Sequence, residues 1–159
     1  VRDLVPDDER IRLIHIDENH TIGQKRNFGC SQARGEVIAH WDDDDWYAPE
    51  RLAEQIQRLV ESGKAVTGYS SVIFEGDKGR WRYIGHGGYA VGTSLVYRKD
   101  WWEGHKFPAK QIGEDGDFVR DAKQSNQLSV SDAGELIIAS IHAGNTSPRQ
   151  LVGSQWVKL

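Results

Sequence analysis

Residues 36 to 49 read EVIAHWDDDDWYAP, and the run Asp42, Asp43, Asp44, Asp45 is the strongest chemical signal in the chain. Four adjacent carboxylates repel one another, and a bound dication would relieve that repulsion. Mg²⁺ and Mn²⁺ prefer carboxylate oxygens and take phosphate oxygens and waters alongside them. On an extended segment, side chains at i and i+2 point the same way. That spacing makes Asp42 and Asp44 converge and turns Asp43 and Asp45 elsewhere. The competing reading is a solvated acidic turn ahead of a helix beginning near Pro49, where negative charge is favourable. The run abuts an apolar segment and is fenced by Trp41 and Trp46, which favours a metal. An EF-hand needs glycine at the sixth loop position, and counting from Asp42 or Asp43 reaches Tyr47 or Ala48. The glycine-rich GHGGYAVG (85–92) is not followed by Lys-Ser or Lys-Thr, so a P-loop fails as well.

The elements around the run can be read from periodicity and punctuation. Residues 1–10 form a polar lead-in, and the β-branched run IRLIHI (11–16) predicts a buried strand. Thr21 to Arg34 has helical spacing with Gly35 as its stop, and EVIAHW (36–41) predicts a second strand ending at the aspartates. After Pro49, RLAEQIQRLVES places Leu52, Ile56, Leu59 and Val60 on one helical face, closed by Gly63. Segments 65–74 and 80–84 predict a hairpin around EGDKG, and 93–98 another strand. A helix over 117–124 follows the acidic loop carrying Glu114 and Asp115; QLSVS and ELIIAS are late strands, and the tail after His142 reads as irregular. The order β-α-β-α followed by a β-rich half implies one α/β domain over residues 1–159 with a mixed sheet. In open α/β sheets, ligands bind beyond the carboxyl ends of strands, where the aspartates lie.

The 159 residues suffice for one domain with a core, and 28% charged against 38% apolar residues is an ordinary globular mixture. A net charge of −4 argues against a nucleic-acid surface, which is usually basic. The single cysteine, Cys30, excludes an internal disulfide and fits a reducing compartment, hence a cytoplasmic expectation. No apolar run approaches the ~18 residues of a membrane span, and no secretory signal is visible. The chain has no methionine and opens VRDLVPDDER, which reads as a sequence lacking its true N-terminus.

Three further features complete the pattern: GQKRNFGCSQARGE upstream of the aspartates, IGEDGDF with Glu114 and Asp115, and SIHAGN with His142 after the last strand. The order KRNxGxxxAxGExI, then DxDD followed four residues later by proline, then ED, then a late histidine, resembles an inverting glycosyltransferase of the GT-A fold, family 2. The likeness runs from about Ile11 to His142. It implies a mixed, mostly parallel sheet flanked by helices. It also implies that Asp42 and Asp44 form the DxD pair holding Mn²⁺ or Mg²⁺ and the nucleotide, with His142 as a further metal ligand. Asp43 and Asp45 assist substrate binding, Lys25 and Arg26 offset phosphate charge, Gly92 shapes the donor and acceptor pocket, and Glu114 supports the acceptor side. Asp115 is the general base. The implied partners are a nucleoside-diphosphate sugar donor and a saccharide or other hydroxyl acceptor. Sugar transfer needs a cation at the departing diphosphate and a carboxylate for the acceptor proton, and the chain offers both. The family opens with a strand-helix-strand nucleotide-binding unit, and this sequence starts after it, so an N-terminally truncated domain is expected. The competing readings are a non-catalytic, metal-dependent nucleotide- or sugar-binding module (a degenerate transferase) and a metal-dependent phosphohydrolase.

Overall fold

A computed structural model describes residues 6–16, 19–146 and 150–159; the start of the polar lead-in, residues 1–5, lies outside them. Helix α1 (Ile22–Gln32) begins in a capping box, in which Gln24 N–H donates to the Thr21 hydroxyl at 3.3 Å and Thr21 N–H donates to Gln24 Oε1 at 2.9 Å. Strand β1 (Val37–Ala39) follows, then a two-residue β2 (Trp46–Tyr47) and helix α2 (Arg51–Ser62). Gly63, at φ 62°, ends α2 in the left-handed region as expected. The predicted hairpin is present as β3 (Val66–Gly76) and β4 (Gly79–Ile84). A 3-10 turn (Gly92–Ser94), β5 (Val96–Arg98), α3 (Lys99–Gly104), α4 (Glu114–Gln124), β6 (Leu128–Asp132), β7 (Ile137–Ile141) and β8 (Trp156–Lys158) complete the order.

Strand β3 organises the sheet because it is long enough to serve two pairs of neighbours. Its first half lies between β5 and β6 and its second half between β4 and β7. The path runs β1-β5-β3-β4-β8, with β2 paired to β7. The sheet is mixed and flanked by helices, as the sequence indicated. Its balance differs from the expectation of mostly parallel strands: β3 pairs parallel with β6 and β7, and the other described pairings are antiparallel. Short returns such as the β3–β4 turn force the antiparallel arrangement; parallel neighbours need a crossover.

Other expectations are corrected. Residues 11–16 are not a strand, and Ile11, Leu13 and Ile14 are exposed. Among the described residues no strand pairs with this segment, and a β-branched run becomes a strand only where a neighbouring ladder and face receive it. Helix α2 buries Arg51, Gln55 and Leu59, while Leu52, Ile56 and Val60 face outward, Val60 at 76% exposure. The inward stripe at i, i+4 and i+8 is thus partly polar. Helix α4 starts three residues earlier than expected, so Glu114 and Asp115 lie in its first turn rather than on a loop. Part of the tail forms β8 on the edge of β4, where Trp156 packs edge-on against Phe74 at 5.2 Å.

Two apolar clusters hold the layers together. One joins Cys30, Val66, Leu95, Tyr97, Trp102, Phe107 and Phe118 beneath α1 and α4, with Phe107 and Phe118 stacked at 4.3 Å. Asn27 stitches this cluster: its amide donates to Phe107 O, and its carbonyl accepts from Phe107 N–H and Trp102 Nε1–H. Trp102 is therefore a packing residue, 4% exposed. The other cluster gathers Tyr47, Tyr69, Val72, Phe74, Val91 and Ile137. No described helix is long and apolar enough to cross a membrane.

Candidate active site

The chain does not run on extended from β1. It turns at Asp43 and Asp44, with Asp45 N–H reaching Asp42 O at 3.4 Å. The turn brings carboxylate oxygens of Asp42, Asp44 and Asp45 within 4.8 Å of one another. Asp42 and Asp44 do converge, but through a turn and not through strand alternation. Asp45, expected to face elsewhere, joins them; Asp43 is exposed on the cavity wall and is not part of the converging group. Burial, reinforced by the charges of Asp45 and Asp44, raises the Asp42 pKa, and the Arg26 charge opposes the rise.

His142 follows β7, and its Nε2 lies 2.8 Å from Asp44 Oδ2. Gly144 N–H donates to Nδ1 at 3.1 Å, and Nε2 also lies 3.2 Å from Asn145 Nδ2. Three clustered carboxylates with one imidazole at their corner form an oxygen-rich donor set that suits a hard divalent cation. Asp45 is the most engaged of the three. Its Oδ1 accepts from Ser140 N–H of β7, and its Oδ2 accepts from the Thr93 hydroxyl, each at 2.8 Å. The Ser140 hydroxyl also donates to Asp44 O, so β7 is pinned to the acidic turn at two points. Tyr47 closes the knot: its hydroxyl accepts from Asp42 N–H at 2.9 Å and meets the Thr93 hydroxyl. Burial pushes the Tyr47 phenol up to about 12, so it stays a neutral hydrogen-bonder.

Across a cavity of about 640 Å³, the first turn of α4 supplies Asp115. Its Oδ1 accepts from Gly116 N–H at 2.7 Å. The carboxylate lies against the bare face of Gly92: a Cβ there would collide with Asp115 Oδ2 and stand 2.9 Å from its Cγ. Gly92 is required by this close approach, since its φ is not in the left-handed region. Glu114 is 4% exposed and paired with Arg26 Nε at 2.9 Å. Lys25 and Arg26 both line the cavity from α1, Lys25 exposed and Arg26 committed to Glu114 and to His40 Nδ1 at 2.9 Å. The structure therefore brings every predicted site residue except the adjoining His142 around one cavity, and joins His142 to it through Asp44.

Sequence reasoning gave no role to His40, Thr93, Arg51 or Ser140. Buried His40 stands between Arg26, Gly92 O and the Tyr97 hydroxyl. Burial first, then the Arg26 charge, lower its pKa to about 3. The folded state holds it neutral, while the unfolded chain protonates it near its ordinary value of 6.5. Its contribution is present in full above pH 6.5 and is lost as pH falls from there toward 3. At pH 5 the loss is about 2 kcal/mol, or about 5 °C in melting temperature. Asp42, with a raised pKa, contributes the opposite slope at acid pH. Melting curves from pH 8 to 5 test the assignment: His40→Gln is expected to flatten the decline, and an unchanged decline would count against it.

Residues 1–119 match the family described as Glycosyl transferase family 2. Among curated proteins, the chain is similar to the succinoglycan biosynthesis protein ExoO of Rhizobium meliloti, 42% identical over 59 residues, 37% of this chain and 17% of that protein. It is also similar to the putative teichuronic acid biosynthesis glycosyltransferase TuaG of Bacillus subtilis, 32% identical over 71 residues, 43% of this chain and 28% of that one. The matched stretches thus span less than a third of either relative. Among solved structures, S. aureus TarS 1–349 in complex with UDP-GlcNAc superposes with a TM-score of 0.61 at 21% identity, over 79% of this chain and 40% of that one. That likeness establishes the GT-A-like fold. With the family match covering well over half of its length, this chain belongs to glycosyl transferase family 2.

Proposed function

We propose that this domain transfers a sugar from a nucleoside-diphosphate sugar to an acceptor hydroxyl with inversion, dependent on Mn²⁺ or Mg²⁺. The observation that carries the reading is the placement of two separate acidic groups on one cavity. The Asp42, Asp44, Asp45 turn after β1 and Asp115 of α4, seated on Gly92, line the same cavity. Asp42 and Asp44, with His142, would hold the cation, which would supply stabilisation of the charge developing on the departing diphosphate. Lys25 lines the same cavity and adds positive charge toward phosphate. Asp115 accepts the proton of the acceptor hydroxyl as that oxygen attacks the anomeric carbon. The bond from the anomeric carbon to the diphosphate oxygen breaks with its electron pair leaving on the diphosphate. One displacement from the opposite face inverts the configuration. Glu114 and Arg26 keep the first turn of α4 against α1 and so orient Asp115. The buried, unpaired thiol of Cys30 fits a cytoplasmic location.

Nucleoside diphosphate release from a panel of UDP, GDP, dTDP and CDP sugars tests this, with Mn²⁺ and with chelator. Release dependent on Mn²⁺ with at least one donor is expected. No release with any donor, together with no Mn²⁺-dependent thermal shift by any nucleoside diphosphate, overturns it. A Mn²⁺-dependent shift without release selects the non-catalytic binding module instead.

A further inference from the structure

We propose that Arg51 is a positioning residue of this site: its buried guanidinium fork locks the acidic turn in the bent form in which the carboxylates converge. The inference rests on reading the aspartates as a cation site.

Arg51 is fully buried, at 0% exposure. A buried arginine normally sits against a carboxylate. Among the described residues none lies within ion-pair distance of Arg51. Its donors go instead to His40 O at 2.9 Å, Thr93 O at 3.1 Å and Gln55 Oε1 at 2.9 Å. Its guanidinium carbon lies over the Tyr47 ring, 4.5 Å from its centre, and over the Trp41 ring, 5.0 Å from its centre. Each of these partners bears on an aspartate. His40 precedes the acidic turn by two residues, Trp41 adjoins Asp42, the Thr93 hydroxyl donates to Asp45, and the Tyr47 hydroxyl accepts from Asp42 N–H. Gln55, one helical turn on, extends the grip by donating to Ser94 O at 2.7 Å.

The fork thus ties the chain entering the turn to the 3-10 turn that braces its exit. Burial lowers the Arg51 pKa, and Asp42 and Asp45 are among the nearby acidic groups that favour its charge. A fixed cation beneath the turn offsets the repulsion among the aspartates whether or not a metal is bound. Lysine keeps the charge but cannot span two carbonyls and an amide in one plane.

The test compares wild type, Arg51→Lys and Thr93→Val. Mn²⁺ alone is titrated by EPR of the free ion, cooperative melting is followed in parallel, and kcat and KM are measured on the working donor. Thr93→Val removes the hydroxyl brace to Asp45 and leaves the carbonyl that Arg51 holds. Both variants are expected to melt cooperatively and to bind Mn²⁺ about tenfold more weakly, the scale of losing an outer hydrogen bond to a metal site. Their kcat falls while the acceptor KM stays within about twofold. Wild-type Mn²⁺ affinity in both variants overturns the proposal, as does weakened affinity seen only where cooperative melting is lost. Failure of the wild-type protein to bind Mn²⁺ overturns the cation-site reading itself, a distinct outcome.

Discussion

Asp115→Asn is expected to reduce turnover by about 10²–10⁴-fold, the range for removing a positioned general base. The amide keeps the shape of the carboxylate, and its oxygen still accepts from Gly116 N–H. It has no useful basicity, so the acceptor oxygen must attack while still protonated. Asp115 lies outside the converging Asp42, Asp44, Asp45 group, so binding of Mn²⁺ and nucleoside diphosphate is expected to stay within about twofold. The companion variant Gly92→Ala removes no functional group. Its Cβ meets the Asp115 carboxylate and pushes the base out of place, and a misplacement near 1 Å costs about 10²-fold. Steady-state kcat, with binding measured in parallel by calorimetry, checks both. An Asp115→Asn enzyme retaining more than a tenth of wild-type kcat would remove Asp115 from the mechanism.

The second large effect is at Asp44. Its carboxylate is the meeting point of the converging aspartates and His142. Asp44→Asn removes one negative charge from the donor set and leaves the Ser140 hydroxyl's bond to Asp44 O in place, because that contact is to the main chain. The backbone turn is thereby retained while the cation site is weakened. A loss of several kcal/mol in transition-state stabilisation corresponds to about 10³-fold in kcat/KM at limiting Mn²⁺. Excess Mn²⁺ is expected to recover part of it. The contrast is Asp43→Asn, on an exposed side chain outside the converging group, expected to change kcat/KM by no more than about threefold. Equal losses at the two positions would dissolve the distinction between them.

The site was more legible in the sequence than the geometry that builds it. Asp42 and Asp44 stand out by type and spacing, and the family resemblance adds Asp115, Gly92 and His142; the structure collects all but His142 around one cavity and joins His142 to it through Asp44. The bend at Asp43 was not legible. Extended alternation and a tight turn both bring Asp42 near Asp44, and only tertiary hydrogen bonds from Ser140 and Thr93 choose between them. The orientation of α2 was hidden for a related reason. Leu52, Ile56 and Val60 form an apolar stripe as good as any, yet Arg51 and Gln55 face inward because carbonyls 40, 93 and 94 await donors there. Periodicity reports apolar faces and is silent about the demand of distant main-chain acceptors. The one readable hint was a polar pair at i, i+4 in phase with Leu59. Strand β8 was missed because a short edge strand gains its stability from Trp156 against Phe74 and Tyr83, a contact between residues far apart in the chain.

Cys30 gives the molecule a built-in clock. Its thiol is the only one in the sequence, is 4% exposed, and is held at 3.1 Å from the Tyr97 hydroxyl. Burial raises its pKa, which keeps it protonated and slow toward electrophiles. A disulfide reagent can reach it only when α1 lifts from β5. The labelling rate, divided by that of the unfolded chain, therefore measures how often this part of the fold opens. Because α1 also carries Lys25 and Arg26, the same rate reads out how firmly a bound ligand closes that wall of the cavity.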